Sequence, residues 1–228
     1  MPKEEFVEKD VQRHFDSLAE GYDALKEKNS YYYETLKKLL AENIAHGRSV
    51  LEVGCATGEL LNALAPSRGA GIDLSEAMIR RARAKFPRLD FAAVSFEAYA
   101  PAASFDFITV VDVIEHVPEP EKLFAKLREW ASPSTRVILT MANPLWNPVL
   151  AILEHFKLKM DEGPHFRVTE KNMLALAAAK GLLLERKQAA LLFPLRVPFF
   201  SRFINDGIGR LRLFQKACLV QCYVFKPA

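Results

Sequence analysis

Cysteine is scarce in this chain of 228 residues, which has Cys55, Cys218 and Cys222 only. An odd number of thiols makes no even disulfide framework and suits a reducing compartment. The three residues between Cys218 and Cys222 are wrong for a C-x-x-C redox pair. No run approaches the ~20 apolar residues of a spanning helix. The opening MPKEEFVEKD is charged where a secretion signal would be apolar. The expectation is a cytoplasmic protein that at most touches a membrane. Charge of one sign is also missing. The net charge is +3, with the basic residues dispersed apart from Arg80-Arg81-Arg83-Lys85, a run that reads as the solvated face of a helix. So mild a balance does not call for nucleic acid, and no such partner is expected.

Two phosphate-binding signatures are absent as well. Counted from Gly54, a G-x-G-x-x-G turn would need glycine where Ala56 and Glu59 stand, and a carboxylate there would repel a pyrophosphate. A P-loop would need a lysine and a spacing that the chain does not have. The failed glycine spacing argues against a nicotinamide-dependent oxidoreductase. No internal repeat or low-complexity tract breaks the sequence. Half of its residues are hydrophobic, enough for a sizeable core, and a single domain is expected over 1–228.

What is present is VLEVGCATG, Val50 to Gly58, followed at once by the helical pattern ELLNAL. An apolar strand runs into Glu52, a turn of small residues and a helix N-terminus, which together make a floor for a nucleotide-like ligand. Downstream, GIDLSEAMIRRAR reads as a second strand ending in Asp73 and a helix capped by Ser75. FDFITVVDVIEHVPEP follows as another strand and loop. Strands alternate with helices at Ser49 to Val53, Arg68 to Asp73, Leu89 to Val94, Phe105 to Val111 and Arg136 to Met141, which predicts a parallel, doubly wound sheet. Thr169 caps a further helix stopped by Gly181. Leu182 to Leu192 and Lys216 to Phe225 would be the last strands.

These motifs, in order at βαβ spacing from about Arg48 to Met141, resemble the class I S-adenosylmethionine-dependent methyltransferases. The segment from Phe105 to Pro120 resembles the ubiquinone-biosynthesis O-methyltransferases, which carry Glu where this chain has Asp112. The resemblance implies an α/β, Rossmann-like, seven-stranded and mostly parallel sheet with helices on both faces and an antiparallel last strand. It also implies an N-terminal helical cap over 1–46, a cofactor-binding half over 47–141 and a substrate-side half over 142–228. S-adenosyl-L-methionine is the implied cofactor. Its expected contacts are Tyr22, Glu52, Gly54, Cys55, Ala56, Gly58, Asp73, Leu74, Ser95, Phe96, Val111 and Asp112. Asp73 would accept from the ribose hydroxyls. Ala56 stands where the family has its middle glycine, and Ser95 where many relatives place an aspartate for the adenine.

Methyl transfer needs a nucleophile held in line and water kept out, and an oxygen or nitrogen nucleophile often needs a proton removed. His116 and His165 are the candidate catalytic residues, with Arg167 a clamp for an anionic group. Asp112, Glu115 and His116, at i, i+3 and i+4, would share a face if the segment turns helically. That set could suit a divalent metal, but none is expected, since Glu-His before Val-Pro is widespread in methyltransferases that need no metal. Tyr22 and Tyr33 of the N-terminal segment could reach the cofactor or simply cover the core. The connection from Asn143 to Lys159, with Trp146, would form the opposite pocket wall.

The stretch FPLRVPFFSRFINDGIGRLRLF, Phe193 to Phe214, alternates phenylalanine with arginine. It is expected to pack its rings into the domain, with a substrate lid next, and a peripheral membrane or dimer contact beyond that. The expected function is methyl transfer to a small-molecule or lipid-linked acceptor, on oxygen, by in-line displacement. Nitrogen or carbon methylation and a non-catalytic cofactor-binding scaffold are the alternatives. Either a monomer or a homodimer is compatible with the sequence.

Overall fold

The computed structural model describes residues 3–155, 163, 166, 168–197 and 199–228. Three helices open the chain: α1 (Lys3–Leu18), α2 (Tyr22–Lys28) and α3 (Ser30–Ala41). Then come β1 (Ser49–Val53), α4 (Glu59–Ala63), β2 (Arg68–Asp73), α5 (Glu76–Lys85), β3 (Asp90–Ala93), β4 (Phe107–Val111), α6 (Pro120–Trp130) and β5 (Arg136–Ala142). The remainder holds α7 (Asn147–His155), α8 (Glu170–Ala179), β6 (Leu182–Ala190) and β7 (Val220–Pro227).

The seven strands form one sheet in the order β3-β2-β1-β4-β5-β7-β6. Pairing is parallel from β3 to β5, and β7 runs antiparallel to both β5 and β6. Because side chains alternate across a strand, Leu51 and Val53 enter one core layer with Ile108, Phe124, Leu139 and Tyr223. Val50 enters the opposite layer with Leu36, Leu61, Ile79 and Val224. Strand order reverses between β1 and β4, and open α/β sheets bind ligands at that point, beyond the carboxyl ends of the strands.

Local signals act as their chemistry dictates. The Ser75 hydroxyl accepts from the Met78 amide at 3.1 Å and starts α5. Thr169 does the same for α8 through Asn172. Gly181, at φ 76, turns the chain into β6. The last strand departs from its expected bounds. It begins at Val220, because Lys216 and Ala217 are spent on turns that expose their carbonyls to Asn143 and Trp146. Among the described residues no helix is long and apolar enough to cross a membrane.

Candidate active site

The turn after β1 is held open by glycine and strapped by its neighbours. Gly54 has φ 73, and a Cβ there would meet Val113 Cγ2 at 2.2 Å. The amides of Gly54 and Cys55 both donate to the Ile72 carbonyl, at 2.8 and 3.0 Å, locking the turn to the end of β2. Ala56 sits at φ 45, in the left-handed region that disfavours a side chain. Its amide donates to Asp73 Oδ2 at 2.8 Å, so the acid at the end of β2 holds this strained residue in place. Asp73 Oδ1 takes the Ser75 amide at 2.9 Å. Each carboxylate oxygen has two lone pairs, so Asp73 keeps capacity for further donors. Burial raises its carboxyl above the usual range, and the Ser75 and Ala56 amides work against that rise.

Glu52 lies on the face of β1 opposite Leu51 and is only 2% exposed. Its Oε2 accepts from the Leu61 amide at 3.1 Å. Burial pushes its carboxyl up to about 8, with Lys26 and the Leu61 amide opposing. Burial likewise lowers the Lys26 ammonium, which stands 4.9 Å from the Tyr22 ring centre and 4.6 Å from that of Tyr33.

The N-terminal helices are bolted over this floor. Ser75 Oγ donates to Asp16 at 2.5 Å, and the Ala77 amide reaches the same oxygen at 3.2 Å. Thr57 Oγ1 donates to Asp23 at 2.7 Å, and Lys85 bridges Asp23 and Glu59 at 2.9 and 2.5 Å.

Beyond β4 the chain does not continue as a helix. Asp112 takes φ 53 and only Ile114–His116 make a 3-10 turn. The expected shared helical face of Asp112, Glu115 and His116 is therefore replaced by separate anchorages. Tyr32 Oη donates to Asp112 Oδ2 at 2.6 Å and Thr140 Oγ1 to Oδ1 at 2.9 Å. Glu115 Oε1 accepts from the Ala142 amide at 3.1 Å. The His116 ring meets Phe15 edge-on at 5.3 Å. Among the described residues no group of three or more His, Cys, Asp or Glu side chains is placed to hold a metal.

A cavity of about 700 Å³ gathers these parts. Tyr22, Glu52, Gly54, Cys55, Ala56, Asp73, Leu74, Phe96, Val111, Asp112 and His116 all line it. Gly58 and Ser95 do not. Gly58 is a packing position, where a Cβ would lie 2.6 Å from the Phe91 ring. The Ser95 hydroxyl accepts from the Ala98 amide at 3.3 Å and serves its own turn. His165 and Arg167 lie outside the described residues. Tyr32 and Lys26 also line the cavity, although the sequence singled out neither. A signal existed for Tyr32, since it stands four residues before the buried Leu36 on the inward stripe of α3. Nothing in the pattern of α2 marked Lys26.

The profile of a family described as a methyltransferase domain matches residues 25–185. The chain belongs to that methyltransferase family. It is 35% identical over 105 residues to a ubiquinone biosynthesis O-methyltransferase of Thiobacillus denitrificans, a match covering 42% of this chain and 45% of that protein. The methyltransferase chain thus spans about half the length of the curated relatives it matches. A Thermotoga maritima S-adenosylmethionine-dependent methyltransferase, described as a possible histamine N-methyltransferase, superposes with a TM-score of 0.72 at 17% identity, covering 95% of this chain and 99% of that one. The magnesium protoporphyrin IX methyltransferase of Synechocystis, solved with S-adenosylhomocysteine, gives 0.65 at 17% identity over 97% and 100%. Both superpositions establish the Rossmann-like class I fold of this methyltransferase. Its cavity has the chemistry such a cofactor requires: a carboxylate with spare acceptor capacity at the end of β2, an apolar slot of Leu74, Met78, Val94 and Phe96, and a buried acid at the end of β1.

Proposed function

We propose that this chain transfers the methyl group of S-adenosylmethionine to an oxygen of a small-molecule or lipid-linked acceptor. The observation that carries the reading is the convergence of the Glu52–Ala56 turn and Asp73 in one cavity, at the strand-order reversal and beneath the N-terminal helices. Oxygen as the acceptor atom is supported by the ubiquinone biosynthesis O-methyltransferases that part of the chain matches.

The residues divide the work by their chemistry. Asp73 would take the ribose hydroxyls with the lone pairs its two amide bonds leave free. Leu74, Met78, Val94 and Phe96 would cover the adenine, and Val111 and Cys55 would close the apolar floor. Glu52, Tyr22 and the backbone of Gly54 to Ala56 would hold the amino-acid end. Once bound, the cofactor would supply a methyl group on a positively charged sulfur, ready for in-line displacement. The chain itself must position the acceptor, exclude water and receive a proton from it. His116, on the cavity wall against Phe15, is the base in this reading, and His165 is the second candidate. Asp112, fixed by Tyr32 and Thr140, would help set the acceptor's position.

Methyl-labelled S-adenosylmethionine, incubated with the protein and a cell extract and then partitioned between water and organic solvent, tests the reading. Enzyme-dependent label in either phase is expected, and label in the organic phase selects the lipid-linked acceptor. Saturable cofactor binding with no transferred label in either phase contradicts methyl transfer and leaves a binding scaffold.

A further inference from the structure

In the segment between β6 and β7 two polar side chains, Asn205 and Ser201, turn inward, and two exposed charged ones are tied to α3. Asn205 bonds the Phe193 amide and carbonyl at 2.8 and 2.9 Å and the Tyr31 hydroxyl at 2.8 Å. Ser201, buried, spans Val197 and Leu195. Asp206 pairs with Lys38 at 2.9 Å, and Arg196 pairs with Glu34 and lies over the Tyr31 ring. Several apolar side chains turn outward. Phe199 is 91% exposed, Leu213 81% and Phe203 68%, with Leu195, Phe200 and Leu211 also exposed. The expected packing into the domain is therefore overturned for Phe199, Phe200 and Phe203, while Phe193 is half-buried. Phe199 also holds φ 61, an unfavourable conformation for an aromatic residue.

Position gives this face a meaning. Ala190 and Val220 pair with each other, and Val220 pairs with Ala142 at the carboxyl end of β5. The segment thus leaves and re-enters the sheet at the end where the cavity opens. Asn143 and Trp146 tie it to the start of α7 through the carbonyls of Lys216 and Ala217, at 2.8 Å each. In α7 itself Asn147, Leu150 and Ala151 line the cavity, while Val149 and Ile152 are exposed, as is Leu145 just before it.

We infer that this face docks the protein on an anionic membrane surface, with Phe199, Phe203 and Leu213 entering the interfacial layer. Charge selects that occupant. Arg196, Arg202, Arg210, Arg212 and Lys216 share the segment with a single acid, Asp206. A segment that exposes apolar side chains and whose sequence is this basic suits a layer of anionic headgroups over hydrocarbon. A second copy meeting the same face across a two-fold axis would bring like charges together. The docking does not depend on the methyl-transfer reading, and each can fail alone.

Flotation with phosphatidylcholine vesicles, with and without phosphatidylglycerol, tests it on the full chain. The wild type is expected to float with the phosphatidylglycerol vesicles, to be released as salt rises, and to bind pure phosphatidylcholine weakly. A Phe199→Ser/Phe203→Ser/Leu213→Ser variant is expected to lose at least about tenfold in partitioning. These side chains do not line the cavity, so its melting temperature and S-adenosylhomocysteine affinity should stay unchanged. Wild type left unfloated at low salt, a variant that floats as well as the wild type, or equal binding to both vesicle types overturns the inference. So does a concentration-dependent dimer without flotation, dissolved by the same substitutions, which gives the face to a second copy.

Discussion

Tyr32 Oη lies 2.6 Å from Asp112 Oδ2 and joins the N-terminal helices to the carboxyl end of β4 across 80 residues of sequence. Thr140, from β5, holds the other carboxylate oxygen. Asp112 carries φ 53, a conformation that persists in a non-glycine residue only where its surroundings over-determine it. Burial, then the Asp112 charge, raises the Tyr32 phenol well above its ordinary range, so it remains a donor at working pH.

Tyr32→Phe should therefore loosen the N-terminal helices more than the sheet. Losing one hydrogen bond to a charged acceptor costs about 1.5–3 kcal/mol. Urea unfolding should show a loss of that order, with cofactor affinity falling alongside. Unchanged stability and affinity would mean that the contact is incidental.

Asp73→Ala removes the proposed ribose acceptor and strands the amides of Ala56 and Ser75. Calorimetry should show S-adenosylhomocysteine binding weakened by about 2 kcal/mol, roughly thirtyfold in Kd. Asp73→Asn keeps a carbonyl oxygen for one of the amides. It should recover part of the melting temperature without recovering the affinity, which separates ribose recognition from support of the turn.

Glu52 gives a pH dependence with a definite sign. Burial lifts its carboxyl from 4.5 to about 8 in the folded chain, so folding retains a proton that the unfolded chain releases between those values. The stability contribution is full below about 4.5 and declines as pH rises to about 8. Glu52→Gln should flatten that decline relative to the wild type. A cationic ligand end beside Glu52 would favour its ionised form, as Lys26 already does and against the neighbouring Asp73 charge. Cofactor affinity should then rise toward pH 8 with a proton released on binding. Titration in two buffers of different ionisation enthalpy measures that proton, and Glu52→Gln should abolish it.

Gly54→Ala places a Cβ 2.2 Å from Val113 Cγ2 at a backbone φ of 73. The steric and conformational terms together should cost about 2 kcal/mol or more. A melting temperature within a degree or so of the wild type would contradict the account of this turn.

The fold was legible because strand and helix signals are local. Ser75 and Thr169 announce their helices, and Val50 to Val53 alternates between two core layers. The same locality explains the floor of the cavity, where Glu52, Gly54 and Asp73 fall at strand ends. What the sequence hid lies in contacts between distant segments. Tyr32 meets Asp112 only after the cap folds back, and Lys26 reaches the cavity only once α2 stands over β1. At Ser95, alignment gives a position but not a side chain's nearest donor, which is the Ala98 amide. The segment from Phe193 to Phe214 was misread for a different reason. Phenylalanine is taken to face inward, yet here Asn205 and Ser201 occupy the inner side.

The most direct test of the central claim is a calorimetric titration of the purified chain with S-adenosylhomocysteine, with NAD as the control. Saturable one-to-one binding of S-adenosylhomocysteine and no heat from NAD is the predicted result. Binding of NAD without S-adenosylhomocysteine would contradict the account and turn the cavity over to a different chemistry.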